Sequence, residues 1–264
     1  MNKFWSREPF LIGMVHLPPL PGSARFAGDG DACLAQALRD GQTYADAGVD
    51  VLLVENHGDA PFAASKVAPH VPAWLALVTR DLISSTGLPV GINCLRNDAM
   101  AALGAASAAG ATFIRVNVLV GATATDQGII EGCAQELLAY RSALGTSTAI
   151  LADLNVKFGT PLFRPSPADA VASLVARGGA DGVIVTGSAT GTPPAPDEVA
   201  AARGALEASV PLLVGSGVTT ENIRALSPGV TGFIVGTSLK EGGDVAAPVD
   251  AERVRTMVAA VRDL

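Results

Sequence analysis

The sequence is short of the residues that mark disulfide-built, metal-built and nucleic-acid-binding proteins. Its three cysteines, Cys33, Cys94 and Cys133, are odd in number and form no C-x-x-C pair. That excludes a disulfide framework and a zinc knuckle, and reduced thiols are expected, with Cys94 packed as free cysteines commonly are. The histidines show neither H-x-H nor H-E-x-x-H spacing. So His16, Glu55, His57 and Asp153 are not expected to gather a metal, and no cofactor is expected. Lysine and arginine number 18 against 25 aspartates and glutamates, a net charge of −7, and they are scattered. A nucleic-acid backbone selects a basic stripe, so that partner is disfavoured. No apolar stretch approaches the roughly 18 residues of a membrane span, and no lipidation motif or basic amphipathic helix occurs. The first apolar run, Phe10 to Leu17, contains His16, is followed by Pro18-Pro19 and has no small-residue cleavage site. A cytoplasmic protein is the expectation.

What is abundant is apolar residues, 49% of 264, enough for a large core. Short apolar runs alternate with Ala/Leu-rich helical stretches. The runs are Phe10 to Leu17, Val49 to Asn56, Pro89 to Leu95, Thr112 to Val120, Ala149 to Lys157, Gly182 to Gly187, Pro211 to Gly215 and Gly232 to Thr237. Helical faces follow, such as Leu34, Leu38 and Ala45 after an Asp31 start, and Trp74, Leu75, Val78 and Leu82. Strict alternation implies parallel strands, and eight units in about 250 residues is the size of a (β/α)8 TIM barrel. A doubly wound sheet would open with a Gly-rich turn after its first strand, where this chain has Leu17-Pro18-Pro19. One α/β barrel domain over residues 1–264 is therefore expected. The strand-to-helix junctions are long and turn-rich, and the reverse junctions are short, which puts the site on the strand-to-helix side.

Buried parallel strands should read almost continuously apolar, so polar residues near their C-terminal ends need a cause. Asp153, Asn155 and Lys157 recur at period two in "AILADLNVK", Arg115 and Asn117 in "FIRVNV", and Gly91 and Asn93 in "VGINC", while Glu55 leads on to His57. On a strand, Asp153 and Lys157 would lie roughly 13 Å apart, so different partners are expected for each, with Arg115 and Glu55 as candidates. Asp153 is the expected general acid or base and Lys157 the stabiliser of developing negative charge, with Glu55 and His16 beside them. The alternative is a structural ion-pair network of Arg115, Asp153 and Lys157.

Two neighbouring runs end in small residues, Gly215-Ser216-Gly217 and Gly236-Thr237-Ser238. In a TIM barrel the loops after strands seven and eight often hold phosphate, because glycine admits close backbone approach and hydroxyls and amides face the anion. Neither stretch is a dinucleotide fingerprint or a Walker A loop. The substrate-binding set is thus Asn93, Arg115, Asn117, Asn155, Gly215, Ser216, Gly217, Gly236, Thr237 and Ser238. The Pro/Gly-rich loop from Pro18 to Asp31 is expected to act as a lid, with Arg25 within reach of substrate.

At "IGMVHLPPLPGSARF", "VENHGDAPF", "LADLNVKFGTPL", "VIVTGSATGTPP", "VGSGVTTENI" and "FIVGTSLKEGG" the chain closely resembles the BtpA (BtpA/SgcQ) family, from Ile12 to Gly243. The resemblance implies a barrel of the ribulose-phosphate-binding type. It also implies relatives of two kinds: one acting in photosystem I biogenesis, and others that look nucleosidase-like or sugar-processing. It carries no catalytic residue with it. Two expectations follow. One is an enzyme acting by proton transfer on a phosphorylated sugar or nucleotide-like ligand, as isomerase, lyase or N-glycosyl hydrolase. The other is a non-catalytic assembly factor. A homo-oligomer is compatible with either.

Overall fold

The computed structural model describes residues 9–264. Eleven strands follow one another as β1 (Phe10–His16), β2 (Val51–Glu55), β3 (Val90–Asn93), β4 (Phe113–Val116), β5 (Ala122–Thr125), β6 (Gly128–Glu131), β7 (Ala149–Asp153), β8 (Gly159–Pro161), β9 (Gly182–Thr186), β10 (Leu212–Gly215) and β11 (Gly232–Val235). Eight of them close into a parallel barrel in the order β1-β11-β10-β9-β7-β4-β3-β2. Each lies within one of the eight apolar runs read from the sequence. The helices outside are α1 (Gly30–Asp46), α2 (His70–Thr86), α3 (Ala99–Ala109), α4 (Ala134–Leu144), α5 (Pro167–Ala172), α6 (Pro196–Ala205), α7 (Ile223–Leu226) and α8 (Ala251–Arg262). No helix among the described residues is long and apolar enough to cross a membrane.

Period-two alternation sorts each strand into two cores. Inward-facing Phe10, Ile12, Met14, Val51, Leu53, Phe113, Leu151, Ile184, Leu213 and Ile234 pack together inside the barrel. Leu11, Val15, Leu52, Val54 and Ile114 face the helices. Large rings need small neighbours in so narrow an interior. A Cβ on Gly91 would stand 2.2 Å from the Phe113 ring, and one on Gly232 would stand 2.8 Å from the ring of Phe10.

Three strands were not expected. β5 pairs antiparallel with β6 and with β8, forming a small sheet beside the barrel mouth. Ile130 of β6 is buried with Val118 and Val156 in a separate apolar cluster that fastens this sheet to the chain leaving β4 and β7. The fifth barrel strand ends at Asp153. Beyond it the Leu154 N–H donates to the Ile184 carbonyl at 2.8 Å, and Thr186 Oγ1 to the Asn155 carbonyl at 2.8 Å. The expected strand face through Asn155 and Lys157 is corrected accordingly: those two residues lie on a turn.

The loop from Pro18 to Asp31 also differs from expectation. The Leu20 N–H donates to Asp59 Oδ1 at 2.8 Å, and Cys33 Sγ to the Pro19 carbonyl at 3.4 Å. These bonds tie the loop to the segment after β2 and to α1. None of its residues lines the cavities described below.

Helix α1 is capped by Asp29, whose side chain accepts from the Ala32 N–H, and not by Asp31. Its most buried face is Cys33, Ala37, Asp40, Gly41 and Tyr44, with Leu34 and Leu38 partly buried beside it. Asp40 meets Lys240, whose Nζ lies 3.2 Å from Asp40 Oδ2, and the Val249 N–H donates to Oδ1 at 3.1 Å. Lys240 is completely buried and Asp40 nearly so, so the pair locks α1 to the chain between β11 and α8. Asp40→Ala should destabilise the fold by about 3–5 kcal/mol in chemical denaturation, because it strands a buried ammonium. The double change Asp40→Ala with Lys240→Met should recover most of that loss.

Candidate functional site

The strand register brings polar side chains into one ring. His16 stands beside Glu55, Glu55 beside Asn93, and Asn93 beside Arg115. Each continues the inward-facing series of its strand one layer above the apolar core, so the same alternation that fills the barrel also places the polar rim. Asp153 completes the series on β7. On the opposite side the corresponding positions are Thr186, Gly215 and Gly236, which leave space.

Arg115 and Asp153 are the centre of the charged half. Arg115 Nε donates to Asp153 Oδ1 at 2.9 Å and Nη2 to Oδ2 at 3.0 Å, both side chains being almost wholly buried. Asn117 Nδ2 adds a third bond, to Asp153 Oδ2 at 2.8 Å. Asn93 Nδ2 reaches the Asn117 Oδ1 at 3.2 Å and the Arg115 carbonyl at 3.1 Å. Burial alone lowers the pKa of Arg115, but the charge and hydrogen bonds of Asp153 more than reverse this.

His16 Nε2 lies 3.9 Å from Glu55 Oε1, and its ring meets that of His57 edge-on at 4.9 Å. Its Nδ1 is buried without a hydrogen-bond partner. Gly236 makes room for this ring, since a Cβ there would stand 2.5 Å from His16 Cε1. Burial, then the positive charges of His57, Lys240, Lys157 and Arg115, hold His16 well below its usual 6.5, leaving it neutral at pH 7. Lys157 is pushed down from 10.5 to about 8 by burial and by Arg115, against the opposing pull of Glu55 and Asp153.

Above this ring lies a cavity of ≈ 180 Å³ whose walls include His16, Glu55, Arg115, Lys157, Ser216 and Gly236. A smaller cavity of ≈ 80 Å³ adjoins it under the β5–β6 turn, lined by His57, Arg96, Asn117, Gln127 and Phe158. Glu55, Arg115, Lys157 and Thr190 line both, so the two are lobes of one mouth. Both non-glycine residues with positive φ among the described residues sit here: Ser216 at 89° and Phe158 at 53°. Such strain persists where the surroundings over-determine it, as functional sites do. Gly217, also at positive φ, admits the chain after β9, because a Cβ there would stand 2.2 Å from the Pro193 nitrogen. Ser238 Oγ donates to the Val218 carbonyl at 2.8 Å, joining the loops after β10 and β11.

The structure thus brings together on the walls His16, Glu55, Arg115, Lys157, Ser216, Gly217, Gly236, Thr237 and Ser238, with Asn117 on the smaller lobe. Asp153 and Asn93 stand behind the wall and hold Arg115 and Asn117. Asn155 is exposed and points to neither lobe, and Gly215 packs against Ile184. Arg96, Thr190, Thr219 and Phe158 line the mouth but were not singled out in the sequence. Arg96 stands in the polar run Arg96-Asn97-Asp98 just after the third apolar run, which reads as an ordinary loop. Cys94 is packed, and burial pushes its thiol pKa up. Among the described residues no three His, Cys, Asp or Glu side chains are grouped to hold a metal ion.

A closed parallel (β/α)8 barrel with a polar mouth on its strand-to-helix side is the architecture of many ligand-binding and catalytic proteins. This chain belongs to the BtpA family, whose model matches residues 7–263. It is 45% identical over 260 residues to the photosystem I biogenesis protein BtpA of Synechocystis, covering 98% of this chain and 90% of that one. It is likewise 45% identical over 254 residues to an uncharacterized protein of Pyrococcus furiosus, covering 96% and 95% of the two chains. Among solved structures, N-(5'-phosphoribosyl)anthranilate isomerase from Pyrococcus furiosus superposes with a TM-score of 0.56 at 14% identity, over 97% of this chain and 100% of that one. Thiamine phosphate pyrophosphorylase from the same organism gives 0.59 at 9% identity, over 99% and 98%. These likenesses show the fold.

The depressed Lys157 amine has a measurable signature. Between about 8 and 10.5 the unfolded chain binds more protons at this group than the native chain, so the stability it contributes rises with pH across that window. Lysine NMR titration should place the Lys157 midpoint near 8, against roughly 10.4 for an ordinary lysine. A midpoint near 10 would show that the amine is hydrated.

Proposed function

We propose that this protein is an enzyme acting on a phosphorylated sugar or nucleotide-like small molecule by proton transfer. The observation that supports it best is a single cavity walled on one side by the loops after β10 and β11 and on the other by Glu55, His16, Arg115 and Lys157. In this reading the phosphate sits between Ser216–Val218 and Gly236–Ser238, where hydroxyls, backbone N–H groups and glycine's close approach serve an anion. The reacting carbon then lies over the charged half.

The sequence suggested Asp153 as the acid or base. Both its oxygens are given to Arg115 and Asn117, so in the proposed mechanism it is a positioning residue. The proton transfer passes to Glu55, 7% exposed and on both lobes. Neutral His16 is the second proton carrier beside it. Lys157 and Arg115 stabilise the enolate or alkoxide that forms when the proton leaves. Asp153 holds the Arg115 guanidinium at the angle this requires.

Two substitutions separate binding from chemistry. Ligands that bind only the native state stabilise it by about 2.7 kcal/mol at a hundredfold excess over Kd. Inorganic phosphate should therefore raise the melting temperature of the wild type, and Ser216→Asp, which puts a negative charge in the anion site, should abolish the rise. Glu55→Gln should keep the phosphate response and lower kcat by roughly 10² in a turnover screen across phosphosugars and nucleotides. The name of the Synechocystis relative supports a second reading, an assembly factor, and the exposed Ile129, Phe158, Leu162 and Phe163 near the small sheet would suit a partner. Absence of turnover across the screen, with phosphate binding lost as well, would favour that reading.

A further inference from the structure

Two cations at the mouth have no carboxylate within ion-pair distance. Arg115 is neutralised by Asp153. Glu55 lies 3.9 Å from His16, which is neutral at pH 7, and the exposed Asp126 lines the smaller lobe; neither carboxylate is ion-paired with Arg96 or Lys157. Two cations remain. Arg96 is only 6% exposed and lines the smaller lobe, yet it forms no ion pair among the described residues. Its Nη2 donates to the Lys157 backbone carbonyl, a neutral acceptor. Lys157 lines both lobes and likewise has no ion-pair partner among the described residues. A cation in so dry a place is costly unless an anion meets it. Removing both would be an easy gain in stability, so their presence in a cavity wall points to a negatively charged visitor.

The phosphate proposed above does not account for Arg96. That guanidinium lines only the smaller lobe, under the β5–β6 turn, whereas Ser216–Thr219 and Gly236–Ser238 line only the larger one. We propose that the smaller lobe binds a second anionic group of the same ligand, a carboxylate held by Arg96 and Lys157, so that the substrate is a phosphorylated acid with its charges at opposite ends. This rests on the phosphate reading and narrows it. A carboxylate suits the lobe better than a second phosphate because ≈ 80 Å³ is less than half the space of the larger lobe, and the planar guanidinium fork can hold it through two bonds. Lys157 then lies between the two anions, where its proton is shared with whichever end becomes more basic. Burial lowers the pKa of Arg96 and of Lys157 alike, against the opposing pull of Asp153 and Glu55.

The experiment is calorimetric binding to the wild type and to Arg96→Met, with inorganic phosphate, two matched pairs and one bisphosphate as probes. The pairs are glyceraldehyde 3-phosphate with 3-phosphoglycerate, and glucose 6-phosphate with 6-phosphogluconate; the bisphosphate is fructose 1,6-bisphosphate. In at least one pair the acid should bind about tenfold tighter than its uncharged-ended partner. Arg96→Met should erase that gain while leaving inorganic phosphate affinity unchanged, and Arg96→Lys should keep part of it. The melting temperature of Arg96→Met should equal or exceed that of the wild type, which a purely structural arginine would not allow. If phosphate binds but the acids gain nothing in either pair, or the gain survives Arg96→Met, the second anion site is overturned and the phosphate reading stands. A gain confined to the bisphosphate overturns the choice of carboxylate. If inorganic phosphate itself fails to bind, the phosphate reading falls and this inference falls with it.

Discussion

The arrangement of the mouth depends on one buried ion pair, Arg115 with Asp153. Its two parallel hydrogen bonds, at 2.9 and 3.0 Å, fix the guanidinium plane. The cost of burying two charges is offset only when geometry is good and the remaining lone pairs are used. Here Asn117 supplies the extra bond to the carboxylate, and Asn93 in turn bonds Asn117 and the Arg115 backbone. β3, β4 and β7 are thereby coupled through side chains as well as through their ladders. Removing Asp153 would leave Arg115 as a third uncompensated cation and free the Asn117 amide, so the effect would spread well beyond one contact.

The rim is asymmetric in a way that follows from this pair. On β1, β2, β3, β4 and β7 the uppermost inward positions are His16, Glu55, Asn93, Arg115 and Asp153. On β9, β10 and β11 they are Thr186, Gly215 and Gly236. One half offers charged and amide side chains, the other backbone and space. A ligand with a compact anion and a reactive body fits this division: its anion takes the half where chain can approach closely, and its body lies over groups able to move protons or stabilise charge. Gly236 serves both halves, since it lines the larger lobe and also accommodates the His16 ring.

Much of this was legible in the sequence because the barrel imposes a period of two. Short apolar runs located all eight barrel strands, and period two within them put Asn93 and Arg115 on the rim, while the small-residue run ends put Ser216 and Gly236 in the facing loops. One failure arises because periodicity carries no information about where a strand stops. The polar residues of "AILADLNVK" repeat at period two, yet pairing ends at Asp153, and the turn that follows exposes Asn155 while returning Lys157 to the mouth. "GATATDQGIIEG" is too short and too mixed in polarity to read as a hairpin, although β5 and β6 roof the smaller lobe. The Pro18–Asp31 loop had the composition of a lid, but none of its residues lines either lobe and its start is bonded to Asp59 and Cys33. Composition reports a loop's freedom, and specific hydrogen bonds decide whether that freedom is used.

The buried charges divide into two kinds, and the division separates architecture from function. Asp40 and Lys240 line neither lobe and are mutually paired, and Asp40 also accepts from backbone, so their energetics close within the protein. Arg115 and Asp153 close in the same way. Buried Arg96 and half-buried Lys157, at the same mouth, are in no ion pair among the described residues. Natural cores seldom keep a cation in this condition, because a hydrocarbon of similar volume is the more stable choice. Both cations stand at a cavity wall whose lining also holds Phe158 and Ser216, the non-glycine residues with positive φ among the described residues. In the proposed reading folding and binding are linked at this mouth, because an anionic ligand would neutralise charge that the folded chain leaves without an ion-pair partner.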